Sequence, residues 1–156
     1  MAQDLAEVAR RSDASVAAAR ASLVRAVRQA SSKGMTQAEI AAEIGRSQPE
    51  VSRLLRFHGT TPLGKRLRNR APEIRRIIAE AGGGNVRVFG SVATGDDTEG
   101  SDIDLLFHMG VPLSLMQLGE LESRVAEVLG APVDLVPDSA VRPEFRERVL
   151  AEAVPL

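Results

Sequence analysis

Along the first half of the chain, apolar residues return every three to four positions, the period of a helix with one buried face. Over residues 13–29 the stripe is Val16, Leu23, Val24 and Val27, with Arg20, Arg25 and Arg28 elsewhere on the wheel; Ser31-Ser32-Lys33-Gly34 stops it. A short helix is predicted over 36–44, closed by Gly45, and a second from 47 to about 56. Ser47 is a natural N-cap. Pro49 lies in the first turn, where a missing N–H costs nothing, and Glu50 stands at the third position of a capping box. Gly59-Thr60-Thr61-Pro62-Leu63-Gly64 reads as a linker, and Pro72 opens another helix, which Gly82-Gly83-Gly84 ends.

Beyond residue 85 the pattern changes. Short apolar runs at 86–89, 103–107 and 133–136 have the length of strands, and Pro137 closes the third. Between the last two, residues 114–129 place Leu118, Leu121, Val125, Val128 and Leu129 on one side of a helix; residues 143–153 form a final helix. The order α-β-β-α-β-α predicts a small α/β domain with a mixed, short-stranded sheet and flanking helices. Two domains follow: an all-α domain over residues 1–62 and the α/β domain over 63–156, with the boundary near 59–70.

Composition refines this picture. With 44% hydrophobic and 26% charged residues the chain is globular, and with four Phe, no Trp and no Tyr its core is aliphatic. The absence of cysteine excludes disulfides and thiolate zinc sites and suits a reducing, cytoplasmic location. No apolar run approaches the ~20 residues of a membrane span, and the N-terminus lacks the pattern of a signal peptide. The net charge of −1 hides a split: residues 1–70 carry 13 Lys/Arg against 6 Asp/Glu, net +7, and residues 71–156 carry 7 against 15, net −8. A basic half suits a polyanion; an acidic half suits a metal site or a basic partner.

The basic half holds T-Q-A-E-I-A-A-E-I-G-R-S-Q-P-E-V-S-R-L-L-R at residues 36–56. Two short helices that cross steeply need a small residue where their axes approach, Ala41; a turn residue that tolerates positive φ, Gly45; and apolar pins, Ile40, Ile44, Val51 and Leu54. That is the spacing of a helix-turn-helix, and the stretch resembles the DNA-binding modules of Cro/repressor-like regulators. Its second helix would offer Gln48, Glu50, Ser52, Arg53 and Arg56 to base edges in a major groove, and Thr36, Arg46 and Ser47 to phosphates. Operator DNA and a homodimer reading two half-sites, with the helix at 13–29 as the dimer contact, are the expected partners.

The acidic half holds F-G-S-V-A-T-G-D-D-T-E-G-S-D-I-D-L-L-F at 89–107. Asp102 and Asp104 are two apart on a strand and share one face, where they repel unless a cation lies between them. Hard oxygen ligands suit Mg²⁺. Asp134, inside V-D-L-V, is flanked by apolar residues and would complete a triad if its strand neighbours 102–107. The thirty residues between Asp104 and Asp134, with one helix among them, fit a strand–helix–strand crossover. Gly90 allows close backbone approach to a phosphate, and Ser91 adds a hydroxyl at a helix start. Asp96, Asp97 and Glu99 read as a solvated loop, and His58 and His108 as structural or surface residues.

Gly90-Ser91, ten residues, then Asp102-Ile103-Asp104, with V-R-V-F-G-S around the first and V-D-L-V after the second, resembles the G-S-x10-D-x-D signature of the minimal nucleotidyltransferases of the polymerase-β superfamily. The resemblance implies that Asp102 and Asp104 bind two Mg²⁺ ions with a nucleoside triphosphate, ATP or another NTP. It implies that Asp134 ligates one metal and helps activate the acceptor hydroxyl, and that Gly90 and Ser91 hold the β- and γ-phosphates. The reaction would be in-line attack on the α-phosphorus, with pyrophosphate leaving. Where the family often has Arg after the Ala of G-S-x-A, this chain has Thr94, which leaves rate and acceptor open.

Three functions follow from the resemblance. In the first, the chain is an antitoxin that adds a nucleotide to a hydroxyl of a cognate toxin, such as one of the HEPN type, and represses its own operon. In the second, the acceptor is tRNA, another RNA or a small molecule. In the third, the chain is a non-catalytic repressor whose transferase-like half senses nucleotide.

Overall fold

Asp4 caps the backbone of a long helix, α1 (Leu5–Ser32), in a computed structural model that describes residues 4–156. The helix is longer than the apolar stripe predicts because its Ala-rich early turns, braced by Glu7 to Arg10 and Arg11, need no buried face to stay helical. The buried face is Ala21, Val24, Val27 and Arg28; Val16, expected in the stripe, is 66% exposed.

Thr36 and Glu39 form a reciprocal capping box at the start of α2 (Gln37–Ile44), and Gly45 ends it at φ 66° in the left-handed region. Ser47 accepts from the Glu50 N–H at the start of α3 (Gln48–Leu54), although Glu50 does not return the bond. Ile40, Ala41, Val51 and Leu54 are buried against Val24 and Val27 of α1, with Ile44 packed at the edge. Each of the larger side chains contributes about 1.5–3 kcal/mol by leaving water.

The predicted linker is shorter than its composition suggests. Thr61 caps α4 (Pro62–Glu80), so Gly64 and a basic cluster of Lys65, Arg66, Arg68 and Arg70 lie on the helix, and Pro72 sits inside it rather than opening it. Pro72 forgoes one backbone hydrogen bond, and the stripe Leu63, Leu67, Ala71, Ile74, Ile77 and Ile78, all buried, holds the helix continuous across it.

The sheet is four-stranded and mixed, in the order β3-β2-β1-β4. β1 (Gly83–Phe89) runs antiparallel to β2 (Ile103–Met109) and to the two-residue β4 (Val154–Pro155); β2 and β3 (Val133–Pro137) are parallel, joined through α6 (Leu115–Leu129). Gly83 and Gly84, expected to end a helix, instead pair with Met109 and His108, and the ladder bulges before Arg87, with Asn85 at φ 48°. Ile103, Leu105 and Phe107 join the apolar cluster of α4 and α6, which leaves Asp104 on the opposite face. On the edge strand β3, the Leu135 N–H is taken up by Glu122 of α6. Two further helices, α5 (Gly90–Thr94) and α7 (Pro143–Glu152), pack against α1. No helix among the described residues is long and apolar enough to cross a membrane.

Arg28 joins the two halves. It is 4% exposed; its guanidinium donates to the carbonyls of Leu54, the last residue of α3, and Arg56 beyond it, and to that of Ala93 in α5 at 2.8 Å. Burial lowers its pKa to about 10, opposed by the Glu152 carboxylate, so it remains charged at neutral pH. Of the helix expected to make a dimer, Val24, Val27 and Arg28 are thus used within the chain, while Val16 stays exposed.

Candidate active site

β1 ends at Phe89, and the chain turns at once into the five-residue α5. Gly90 takes φ 70° at this turn, and a Cβ there would overlap the Asp104 carboxylate oxygen. Gly90→Ala should cost about 1–3 kcal/mol of stability through strain and overlap. It should also lower turnover by displacing Asp104; calorimetric melting and an activity assay check both.

Asp104 faces Phe89 across the antiparallel ladder and Asp134 across the parallel one. Burial, then the charges of Asp134 and Asp102, raises its pKa from 3.8 to about 6. Three carboxylates thus lie within one another's field at one end of β2. Asp102 precedes the strand and is exposed. Asp134 is exposed as well, against the sequence expectation: β3 is an edge strand and its Asp134 face meets solvent, so the charge there carries little penalty. What singles out Asp134 is its register beside Asp104. Among the described residues no three His, Cys, Asp or Glu side chains stand preassembled as a metal cage. The donor set nevertheless fits Mg²⁺: hard oxygens only, mutually repelling, with solvent on two of the three.

Ser91 and Gly90 border a cavity with Arg25, Asp96, Arg148 and Glu152. Thr94 is buried, and its hydroxyl donates to Asp96 at 2.6 Å. Asp96 also lies 3.6 Å from Arg25. Asp97 is half-buried, one oxygen lacks a partner, and burial raises its pKa. Of the acidic loop, only Glu99 behaves as the solvated residue expected of all three. Nothing in an acidic Gly-flanked run distinguishes these cases; the Thr two residues before Asp96 was the available signal.

Away from this end, Thr36, Arg46, Ser47, Gln48, Arg53 and Arg56 are exposed, and Glu50 and Ser52 partly so, around the turn between α2 and α3. His58 contacts the Arg53 carbonyl at 2.6 Å, and His108 lies 3.4 Å from Asp138, which also pairs with Arg87. Both histidines thus have structural partners.

The profile of a family described as "Nucleotidyltransferase domain" matches residues 71–156. The protein adenylyltransferase MntA of Thermococcus cleftensis is 38% identical over 69 residues, 44% of this chain and 70% of that protein. A provisionally named protein adenylyltransferase of Methanocaldococcus jannaschii is 37% identical over 86 residues, 53% of this chain and 92% of that one. Among solved structures, one provisionally described as a minimal nucleotidyltransferase superposes with a TM-score of 0.55 at 37% identity, covering 64% of this chain and all of that one. A toxin–antitoxin structure with AMP-PNP shares the fold at a TM-score of 0.50 and 22% identity, over 54% of this chain and 69% of that one.

Proposed function

The chain belongs to the nucleotidyltransferase domain family through residues 71–156, and on that premise we propose that it transfers NMP from an NTP, ATP first, to a hydroxyl of a partner protein. The observation that carries this reading is Asp104, held between Asp134 and the Gly90 turn and raised in pKa by burial and then by two neighbouring carboxylates. Asp102, Asp104 and Asp134 would hold two Mg²⁺ ions, which neutralise phosphate charge and stabilise the attacking and departing oxygens. Gly90 and Ser91 receive the β- and γ-phosphates through backbone N–H and hydroxyl groups. Asp134, exposed beside Asp104, orients the acceptor hydroxyl and takes its proton as the oxygen attacks the α-phosphorus and pyrophosphate departs.

A protein acceptor is supported by the names of the relatives, both protein adenylyltransferases. Against an RNA acceptor, three of the four basic residues at 65–70 already make hydrogen bonds within the chain, although their side chains stay exposed. Arg66 donates to the Leu129 and Gly130 carbonyls, Arg68 to that of His58, and Arg70 to Glu73. Incubation with Mg²⁺ and α-labelled ATP in a lysate of the source organism should label a co-purifying protein; label on RNA would overturn this acceptor.

In the same reading the acceptor is a cognate toxin and α2–α3 bind operator DNA as a helix-turn-helix. The left-handed Gly45, the apolar pins and the exposed polar residues of α3 support the second part. A homodimer reading two half-sites would use the part of α1 left free, where Leu5, Val8 and Val16 are exposed. Arg53→Ala should weaken binding to the chain's own upstream DNA by about 1–3 kcal/mol. An unchanged affinity in a mobility-shift titration would remove Arg53 from the interface.

A further inference from the structure

The cavity beside Gly90 and Ser91, about 320 Å³, takes its cations from outside the β1–α5 turn: Arg25 comes from α1 and Arg148 from α7. Neither guanidinium is locked in place. Arg25 stands 3.6 Å from Asp96 and Arg148 stands 3.7 Å from Glu152, longer than the roughly 2.7–2.9 Å of a charge-assisted hydrogen bond. Arg25 remains 40% exposed at its side chain, and Arg148 72%. A triphosphate entering here meets a half-chain of net charge −8. Its repulsion has to be offset locally, and a guanidinium fork matches phosphate oxygens in both charge and shape.

We propose that Arg25 is a triphosphate-binding residue contributed by the N-terminal helix, with Arg148 facing it, so that the nucleotide site is completed only when α1 is docked on the α/β half. This rests on the nucleotidyltransferase reading of Gly90 and Ser91. Docking of α1 is itself fixed by Arg28, one turn further along, whose bond to the Ala93 carbonyl ties α1 to the same short helix that carries Ser91. Arg28 positions; Arg25 binds. The basic half of the chain thereby adds Arg25 to the one cation, Arg148, that the acidic half brings to this pocket.

The test is calorimetric binding of β,γ-imido-ATP and, separately, AMP to the full chain with Mg²⁺. Arg25→Ala should weaken the triphosphate about tenfold and leave AMP unchanged. Arg25→Lys should recover part of the loss, and Arg148→Ala should act in the same direction as Arg25→Ala. Equal loss of both ligands in Arg25→Ala would make the residue structural and overturn the proposal, as would unchanged triphosphate affinity. If the wild-type chain binds no triphosphate, the proposal falls together with the reading it rests on; wild-type binding with an indifferent Arg25→Ala sinks the proposal alone.

Discussion

Asp104→Asn should give a folded protein whose nucleotide transfer is slower by ~10³-fold or more, about 4 kcal/mol in the barrier, because the carboxylate proposed to hold metal and triphosphate is lost while its shape is kept. The same substitution should stabilise the metal-free protein at neutral pH. The folded chain holds Asp104's proton up to about pH 6 against 3.8 for a free side chain. The stability this proton confers is therefore fully present below pH 3.8 and lost as pH rises through 6. Melting curves should show the variant above the wild type at pH 7.5, with the gap closing toward pH 4. Mg²⁺ should raise the melting temperature of the wild type more than that of the variant. A variant that transfers at the wild-type rate would remove Asp104 from the chemistry.

Arg28→Met should be the most damaging change away from the active site. Methionine keeps much of the apolar stem, but the Leu54, Arg56 and Ala93 carbonyls lose their donor, and the buried Glu152 loses a nearby cation. Each buried acceptor left unpaired costs about 1–3 kcal/mol, while Glu152 keeps Arg148 at 3.7 Å. Chemical denaturation should show this as a lower midpoint. Because Arg28 joins α1, the end of α3 and α5, the two apolar clusters should also separate into distinct unfolding steps. A midpoint within experimental error of wild type would mean that the two halves are held together by other contacts.

Those two residues were unequally legible in the sequence. Asp104 announced itself because a strand through both residues would put Asp102 and Asp104 on one side, where they repel, although Asp102 lies just before β2. Arg28 did not, because helical periodicity counts every arginine as polar; only the three-dimensional meeting of α3, α5 and α7 carbonyls shows why one is buried. The same distinction runs through the fold. Caps at Thr36, Ser47 and Ser114, and the turn at Gly45, are local chemistry and were readable as helix boundaries. The continuity of α4 through Pro72 depends on a buried face that local rules do not weigh. β4, two residues long, exists only because β1 offers it an edge. Asp134 was noticed as a charge among apolar neighbours; its exposure on the edge strand removes that reason and leaves its register beside Asp104. Thr94, where the resembling family often has arginine, turns inward to Asp96, and the positive charge at the cavity beside Gly90 and Ser91 stands instead on Arg25 and Arg148.

The central claim is nucleotidyl transfer to a protein, and the mass of the acceptor tests it most directly. With ATP, Mg²⁺ and the acceptor captured from a lysate, intact-mass spectrometry should show the acceptor heavier by one AMP residue per modified hydroxyl, with pyrophosphate released in equal amount. Asp104→Asn should give neither product. A gain of only a phosphoryl group, release of orthophosphate in place of pyrophosphate, or an acceptor unchanged while RNA gains the nucleotide would contradict it.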